Sequence, residues 1–255
     1  VYEKEGFALN PITRNKALQY ANFRLPYSTE ASQFVIETAK VSQGNVADIG
    51  AGTGLLTQHF VGNVQKVSVI EPEIEMLMIA RDYLGERPDI EYIAGTAEDT
   101  KLLDHSVDLI VAANAYHRFH PEKTIKEFNR ILKPKGILAI FSYHDDNGFF
   151  RDTMQVSNIE QYIQRLTGTR HHVPIQYFYG DSIPSRYLFQ QEHCETWDEY
   201  WGAVMSGMES PNENDDWFLA FQAAHKQRFD SISVGGRITI KYSTEVWLSQ
   251  PKYIS

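Results

Sequence analysis

The chain contains a single cysteine, Cys194, in 255 residues. No disulfide can form within it, and the expected setting is a reducing cytoplasm. No apolar run approaches the roughly 18 residues that a membrane helix needs, so no membrane span is expected. Basic residues are in the minority, with 24 Lys and Arg against 33 Asp and Glu and a formal net charge of −9. Nucleic-acid binders display a basic stripe, and none is visible, which argues against a nucleic-acid partner. The opening "VYEKEGFALN" has neither an initiator Met nor the basic-then-apolar pattern of a secretory signal. Repeats, low-complexity tracts and linkers are also missing, and residues 1–255 read as one domain. Metal-ligand spacing is lacking too. His144, Asp145 and Asp146 sit on one loop and His171 and His172 on another, adjacent pairs chelate poorly, and no metal is expected. His193 and Cys194 fall in a predicted strand, pointing opposite ways, so they form no nucleophilic pair.

Hydrophobic residues make up 42% of the chain, enough for a full core. The first half alternates regularly. A helix is predicted over 29–40, a strand near 45–49 and a helix over about 54–61. A strand at 66–72 leads to a helix at 73–84, and strands follow at 90–95 and 107–114. Pro121 suits the first turn of a helix over 121–132, and "KPKG" turns the chain into a strand at 137–144. Strands apolar along their length, alternating with helices, imply a parallel sheet covered on both faces. In the second half, helices are predicted over 150–166, 196–207 and 215–229 and a strand over 186–195. An antiparallel strand is read at 236–248, where Ile238, Ile240, Tyr242, Thr244 and Val246 share one side.

The stretch "VADIGAGTGLLTQHF" (46–60) places Gly50, Gly52 and Gly54 between the first strand and its helix. Ordering three glycines costs backbone entropy, so something must approach the main chain there. A nucleotide-like ligand at the carboxyl edge of a parallel sheet fits that geometry. A dinucleotide fingerprint needs its third glycine at 55, where the chain has Leu55. Asp48, two residues before Gly50, suits a ligand bearing a cationic amino group and disfavours a diphosphate. Glu71 ends the second strand, where a carboxylate can accept both ribose hydroxyls, a role common to both ligand classes.

Four segments together, "VADIGAGTG", "VIEPEIEML", "GTAEDTKLLDHSVDLIVAANAYHRF" and "EFNRILKPKGILAIF", resemble the class I S-adenosylmethionine-dependent methyltransferases. The likeness is closest to the branch of small-molecule enzymes that includes the ubiquinone/menaquinone and trans-aconitate methyltransferases. It implies an α/β Rossmann-like fold with a seven-stranded mixed sheet in the order 3-2-1-4-5-7-6. It also implies S-adenosylmethionine as cofactor and a small-molecule acceptor. Carried over by position, Asp48 and Gly50 flank the methionine amino group while Gly52 and Gly54 shape the turn. Glu71, followed by Pro72, binds the ribose, and Met76 covers the adenine. The Ala97 backbone and the Glu98 side chain meet the adenine edge. Thr96 stands where many relatives have Asp. Asn114 lies beneath the methionine moiety. In "QYANFRLPY" (19–27), which resembles the family's N-terminal lid, Tyr20 and Arg24 close over the cofactor, Arg24 pairing its carboxylate. Residues 1–40 are the expected helical lid and 145–220 the substrate-side cover.

Methyl transfer mainly requires alignment and exclusion of water, and an acceptor that must lose a proton also needs a base within hydrogen-bond reach. His117, just after the fourth strand, is the candidate, with lining of the pocket and a structural role away from the site as its other readings. Arg118 departs from the aromatic residue common in relatives. Trp197, Tyr200, Trp201 and Trp217 read as core or, with Phe149 and Phe150, as an apolar acceptor wall. An NAD-dependent oxidoreductase and a non-catalytic S-adenosylmethionine-binding protein are the competing readings. A nucleic-acid methyltransferase is the weakest, lacking an Asn/Asp-Pro-Pro-Tyr motif after strand four.

Overall fold

The computed structural model describes residues 13–146, 148–156, 173–207 and 209–252. Seven strands form one sheet in the order β3-β2-β1-β4-β5-β7-β6. They are β1 (Asn45–Ile49), β2 (Lys66–Ile70), β3 (Ile90–Ile93), β4 (Val107–Ala113), β5 (Leu132–His144), β6 (Ser185–Thr196) and β7 (Arg237–Ser249). β1 to β5 pair in parallel, and β7 runs antiparallel to β5 with Phe141 opposite Val246. The described α-helices are α1 (Arg14–Phe23), α2 (Thr29–Ala39), α3 (Ile74–Leu84), α4 (Pro121–Ile131), α5 (Phe149–Gln155), α6 (Trp197–Met205) and α7 (Phe218–Ile232).

The chain divides into two compact units. The first comprises Pro26–His144, His171–Gln190 and Ser243–Ser255; the second comprises Val1–Leu25, Asp145–Arg170 and Gln191–Tyr242.

In the first unit, alternation along the strands splits the core between two faces. Val46, Leu109, Val111, Ala139 and Phe141 pack with Ala31 and Val35 of α2 and Ala80 of α3. Ala47, Ile110, Ala112, Leu138 and Ile140 pack with Phe128 and Ile131 of α4. Short apolar strands buried on both sides, joined by crossover helices, can form only such a covered parallel sheet.

In the second unit, α6 opens with a capping box between Thr196 and Glu199, satisfying two free backbone donors. Trp197 stacks on Trp201 with centroids 5.6 Å apart. Tyr200 is buried and its hydroxyl lies 2.9 Å from His225 Nδ1 of α7. Trp217 packs against Phe221. A Cβ on Gly202 of α6 would stand 2.4 Å from the Phe23 ring of α1, so glycine sets the closeness of those two helices.

Three elements differ from the sequence-based expectation. The helix predicted for 54–61 is a set of turns around a short 3₁₀ segment, Thr57–His59. Gly54 and Gly62 both have positive φ, and between them His59 N and Phe60 N bond back three residues, to Leu56 O and Thr57 O, which is the tighter 3₁₀ pattern. β5 begins at Leu132, five residues before the predicted start. The register with β4 shifts between Val107 and Leu109, and Lys133 Nζ bonds Asp108 Oδ2 at 2.7 Å, so "KPKG" is absorbed as an irregularity. α7 starts at Phe218 and not at 215, because Asp215 is spent closing a turn. Its Oδ2 accepts from Asn212 N at 2.9 Å. The helix predicted for 150–166 appears as α5, and most of its remainder lies outside the described residues.

Candidate active site

Four loops leave the carboxyl ends of β1, β2, β3 and β4, and they carry all but four of the site residues read from the sequence: Asp48 lies within β1, Met76 on α3, and Tyr20 and Arg24 on and just after α1. β1 and β4 are neighbours whose connections run in opposite directions, which makes this the switch point where open α/β sheets hold ligands.

The loop after β1 turns through Gly50, Gly52 and Gly54 with φ of 70°, 58° and 84°, a region that favours glycine. The amides of Gly50 and Ala51 both donate to Ile70 O, at 2.9 and 3.1 Å. A Cβ on Gly50 would lie 2.7 Å from Ala115 Cβ, and one on Gly54 2.9 Å from Leu84 Cδ1. Two of the glycines are thus required by the approach of the β4 loop and of α3, as well as by conformation.

Asp48 is completely buried. Its Oδ2 accepts the Thr57 hydroxyl at 2.6 Å, and its Oδ1 has no partner. Burial pushes its carboxyl up to about 7, with the Thr57 bond opposing and the charge of Glu71 adding. The Thr53 hydroxyl in the same turn is also buried and unpartnered.

Glu71 is 7% exposed. Gly52 N donates to its Oε2 at 2.8 Å and Glu73 N to its Oε1 at 3.1 Å, so the carboxylate is held firmly while each oxygen keeps a second lone pair. Burial raises its pKa. The amide bonds from Glu73 and Gly52 and the charge of Arg118 oppose that, while the charge of Glu73 adds to it. Pro72 is exposed and Met76 of α3 buried.

After β3, Ala97 is buried and Thr96 exposed, and the Thr96 hydroxyl accepts from Glu98 N at 3.2 Å. The Glu98 carboxylate accepts from His120 N at 2.7 Å and from the Thr124 hydroxyl at 3.3 Å. One of its oxygens is therefore engaged at the start of α4, tying the β3 loop to the β4 loop.

After β4, Asn114 adopts φ of 49°, and its Nδ2 donates to the Tyr27 hydroxyl at 2.8 Å. His117 is half-buried in the middle of the 3₁₀ turn Tyr116–Arg118, its ring edge-on to Tyr116 at 5.9 Å.

Tyr20 and Arg24 belong to the second unit. The Arg24 guanidinium carbon lies 4.8 Å from the Tyr20 ring centroid, and Arg24 Nε has no hydrogen-bond partner. Of the weighed metal candidates, His144 lies 3.2 Å from Arg186 through Nδ1, and His171 and His172 lie outside the described residues. Among the described residues no group of three or more His, Cys, Asp or Glu is placed to hold a metal ion. None of their helices is long and apolar enough to cross a membrane.

The sequence reading missed Thr57 and Tyr27. Thr57 is nine residues past Asp48 in a stretch read as helix, and Tyr27 is 87 residues from its partner Asn114, so no local pattern links either pair.

The strand order, with β7 antiparallel at one side, is that of the class I methyltransferase fold. Comparison with known proteins agrees, since residues 47–140 match the methyltransferase-domain family. An uncharacterized methyltransferase of Mycobacterium tuberculosis is 36% identical over 121 residues, covering 48% of this chain and 47% of that protein. A ubiquinone/menaquinone biosynthesis C-methyltransferase of Pseudomonas fluorescens is 32% identical, covering 44% and 46%. The chain thus spans about half the length of the curated relatives it matches. Among solved structures, the S-adenosylmethionine-dependent methyltransferase from Thiobacillus denitrificans, bound to S-adenosylhomocysteine, superposes with a TM-score of 0.54. It has 13% identity and covers 95% of this chain and all of that one.

Proposed function

We propose that the protein transfers a methyl group from S-adenosylmethionine to a small-molecule acceptor, releasing S-adenosylhomocysteine. Asp48 carries this reading: a wholly buried carboxyl, with one oxygen unpartnered, at the switch point beside a turn of left-handed glycines. An unpaired buried acceptor costs about 1–3 kcal/mol, and an ammonium donor would relieve it. Asp48 and Glu71 are both acceptors when charged, which matches an amino group and a ribose diol. A diphosphate would meet two carboxylates, so the site disfavours a dinucleotide. The bound donor supplies a methyl carbon already activated by a sulfonium.

In this proposal the loop residues have distinct tasks. Asp48 and Asn114 face the amino-acid half, with Gly50, Gly52 and Gly54 giving the main chain room to approach. Glu71, pre-set by two backbone amides, takes the ribose beside Pro72. Met76, Thr96, Ala97 and Glu98 surround the base, Glu98 with its free oxygen. His117 takes the acceptor's proton where the acceptor carries one. Tyr20 and Arg24 belong to an N-terminal lid, and residues 145–220 to a segment that selects the acceptor. The net charge of −9 and the single cysteine support a small acceptor in a reducing, cytoplasmic setting.

Titration calorimetry tests the donor. Heat is expected with S-adenosylhomocysteine and none with NADH; the reverse result overturns the proposal. Turnover on a panel of hydroxylated and carbon-acid metabolites, lost in His117→Ala, separates an enzyme from a binding protein.

A further inference from the structure

The stretch joining α1 to α2 ends in Tyr27, which lies in the same compact unit as the strand-end loops. Three contacts fix it there. Its ring stacks on Tyr143 of β5 with centroids 4.9 Å apart and planes 11° apart. It meets Phe141 edge-on at 6.4 Å. The next residue, Ser28, donates its amide to the Thr244 hydroxyl of β7 at 2.8 Å, and both residues are buried. Tyr27 itself is 4% exposed. A phenol locked by two strands is a rigid reference point, unlike the tip of a loop.

Asn114 is the residue that uses this reference. It closes β4, its amide bonding Phe141 O at 2.9 Å, and its φ of 49° is left-handed. Asn tolerates that conformation better than other residues with a side chain. One N–H of its side-chain NH₂ donates to Tyr27 at 2.8 Å, and this orientation sets the carbonyl oxygen as the acceptor that the amide offers on its other side. Without the Tyr27 contact the amide is free to turn, and a donor and an acceptor exchange places.

We infer that Tyr27 is a positioning residue: its hydroxyl holds Asn114 so that the amide oxygen accepts from the amino group on the amino-acid half of the methyl donor. This rests on the donor reading above and adds to it a residue outside the strand-end loops. The consequence is selective. Tyr27 serves recognition of the amino acid and leaves recognition of the nucleoside to the loops after β2 and β3.

The test compares two ligands, S-adenosylhomocysteine and 5′-methylthioadenosine, which keeps the nucleoside and thioether but lacks the amino acid. Tyr27→Phe retains the ring stack and loses only the hydroxyl. It should weaken S-adenosylhomocysteine roughly three- to tenfold, the worth of one neutral hydrogen bond, and leave 5′-methylthioadenosine unchanged. Asn114→Gly, which keeps the left-handed backbone, should show the same selectivity, and adding Tyr27→Phe to it should cost nothing more. If Tyr27→Phe does not fold, Asn114→Gly with the two ligands decides. Equal weakening of both ligands, or no weakening of either, overturns the inference. A wild-type protein that binds neither ligand overturns the donor reading itself.

Discussion

Two pairs of buried titratable groups, one pair in each compact unit, respond to pH differently. At the strand ends of the first unit, Asp48 and Glu71 are both carboxyls raised by burial, Asp48 to about 7. In the second unit, burial raises Glu195 to about 7, with the charge of Glu199 adding. Burial also lowers His225 to about 4, helped by the charge of Arg228. A carboxyl raised on folding favours the folded state while protonated, and that advantage is lost as pH rises through its folded pKa. A lowered imidazole does the reverse, losing stability as pH falls from about 6.5 toward 4. Between about pH 4.5 and 6.5 the second unit's two groups therefore oppose each other, whereas the first unit's two add. In the second unit an acid and an imidazole offset each other's pH dependence, whereas in the first two acids add theirs.

The largest expected effect tests that difference. Burial pushes the Asp48 carboxyl up to about 7, which from pH 4 to 7 corresponds to about 4 kcal/mol of lost stability. Urea unfolding across this range should show wild-type stability falling, Asp48→Asn flattening the fall, and His225→Gln steepening it by leaving Glu195 unopposed. A flat wild-type profile breaks the comparison. In the same protein, S-adenosylhomocysteine binding near pH 6 should release protons as its ammonium drives Asp48 to ionise, measurable by calorimetry in buffers of different ionisation enthalpy.

Gly50→Ala comes next. It forces a side chain into φ of 70° and puts a Cβ 2.7 Å from Ala115. Strain and overpacking together should cost about 2–4 kcal/mol and abolish S-adenosylhomocysteine binding. Normal binding would show that the ligand approaches elsewhere.

The two regions also differed in how far they could be read in advance. The strand-end acids and glycines are local features: Asp48 and Gly50 are two residues apart, and each loop follows a strand whose apolar run is plain. Those residues, the strand order and the fold implied by the resemblance therefore came from the sequence. The partners that hold them did not. Thr57 reaches Asp48 from turns that periodicity presented as helix, and Tyr27 meets Asn114 from 87 residues away in the chain. The Glu195 and His225 environments were equally hidden. Glu195 sits on a strand that otherwise only alternates exposed with half-buried residues, and His225 on a helix whose inward face shows only in the packed chain.

Thr57→Val should give the smallest effect and the clearest contrast, because a hydrogen bond gains strength when its acceptor becomes charged. Below about pH 5 the Asp48 carboxyl is neutral, and losing the 2.6 Å Thr57 bond should cost about 0.5–1.5 kcal/mol. Above pH 7 the carboxylate is ionised and the same loss should rise to about 1.5–3 kcal/mol. Tyr200→Phe removes the 2.9 Å bond to His225, whose two partners stay neutral from about pH 5 upward because burial holds Tyr200 up at about 12 and His225 down at about 4. Its cost should therefore be flat over that range. Parallel unfolding curves at pH 5, 6, 7 and 8 decide it. A Thr57→Val penalty that does not grow with pH would mean that Asp48 stays neutral up to pH 8 in the ligand-free chain, above the value of about 7 to which burial pushes it.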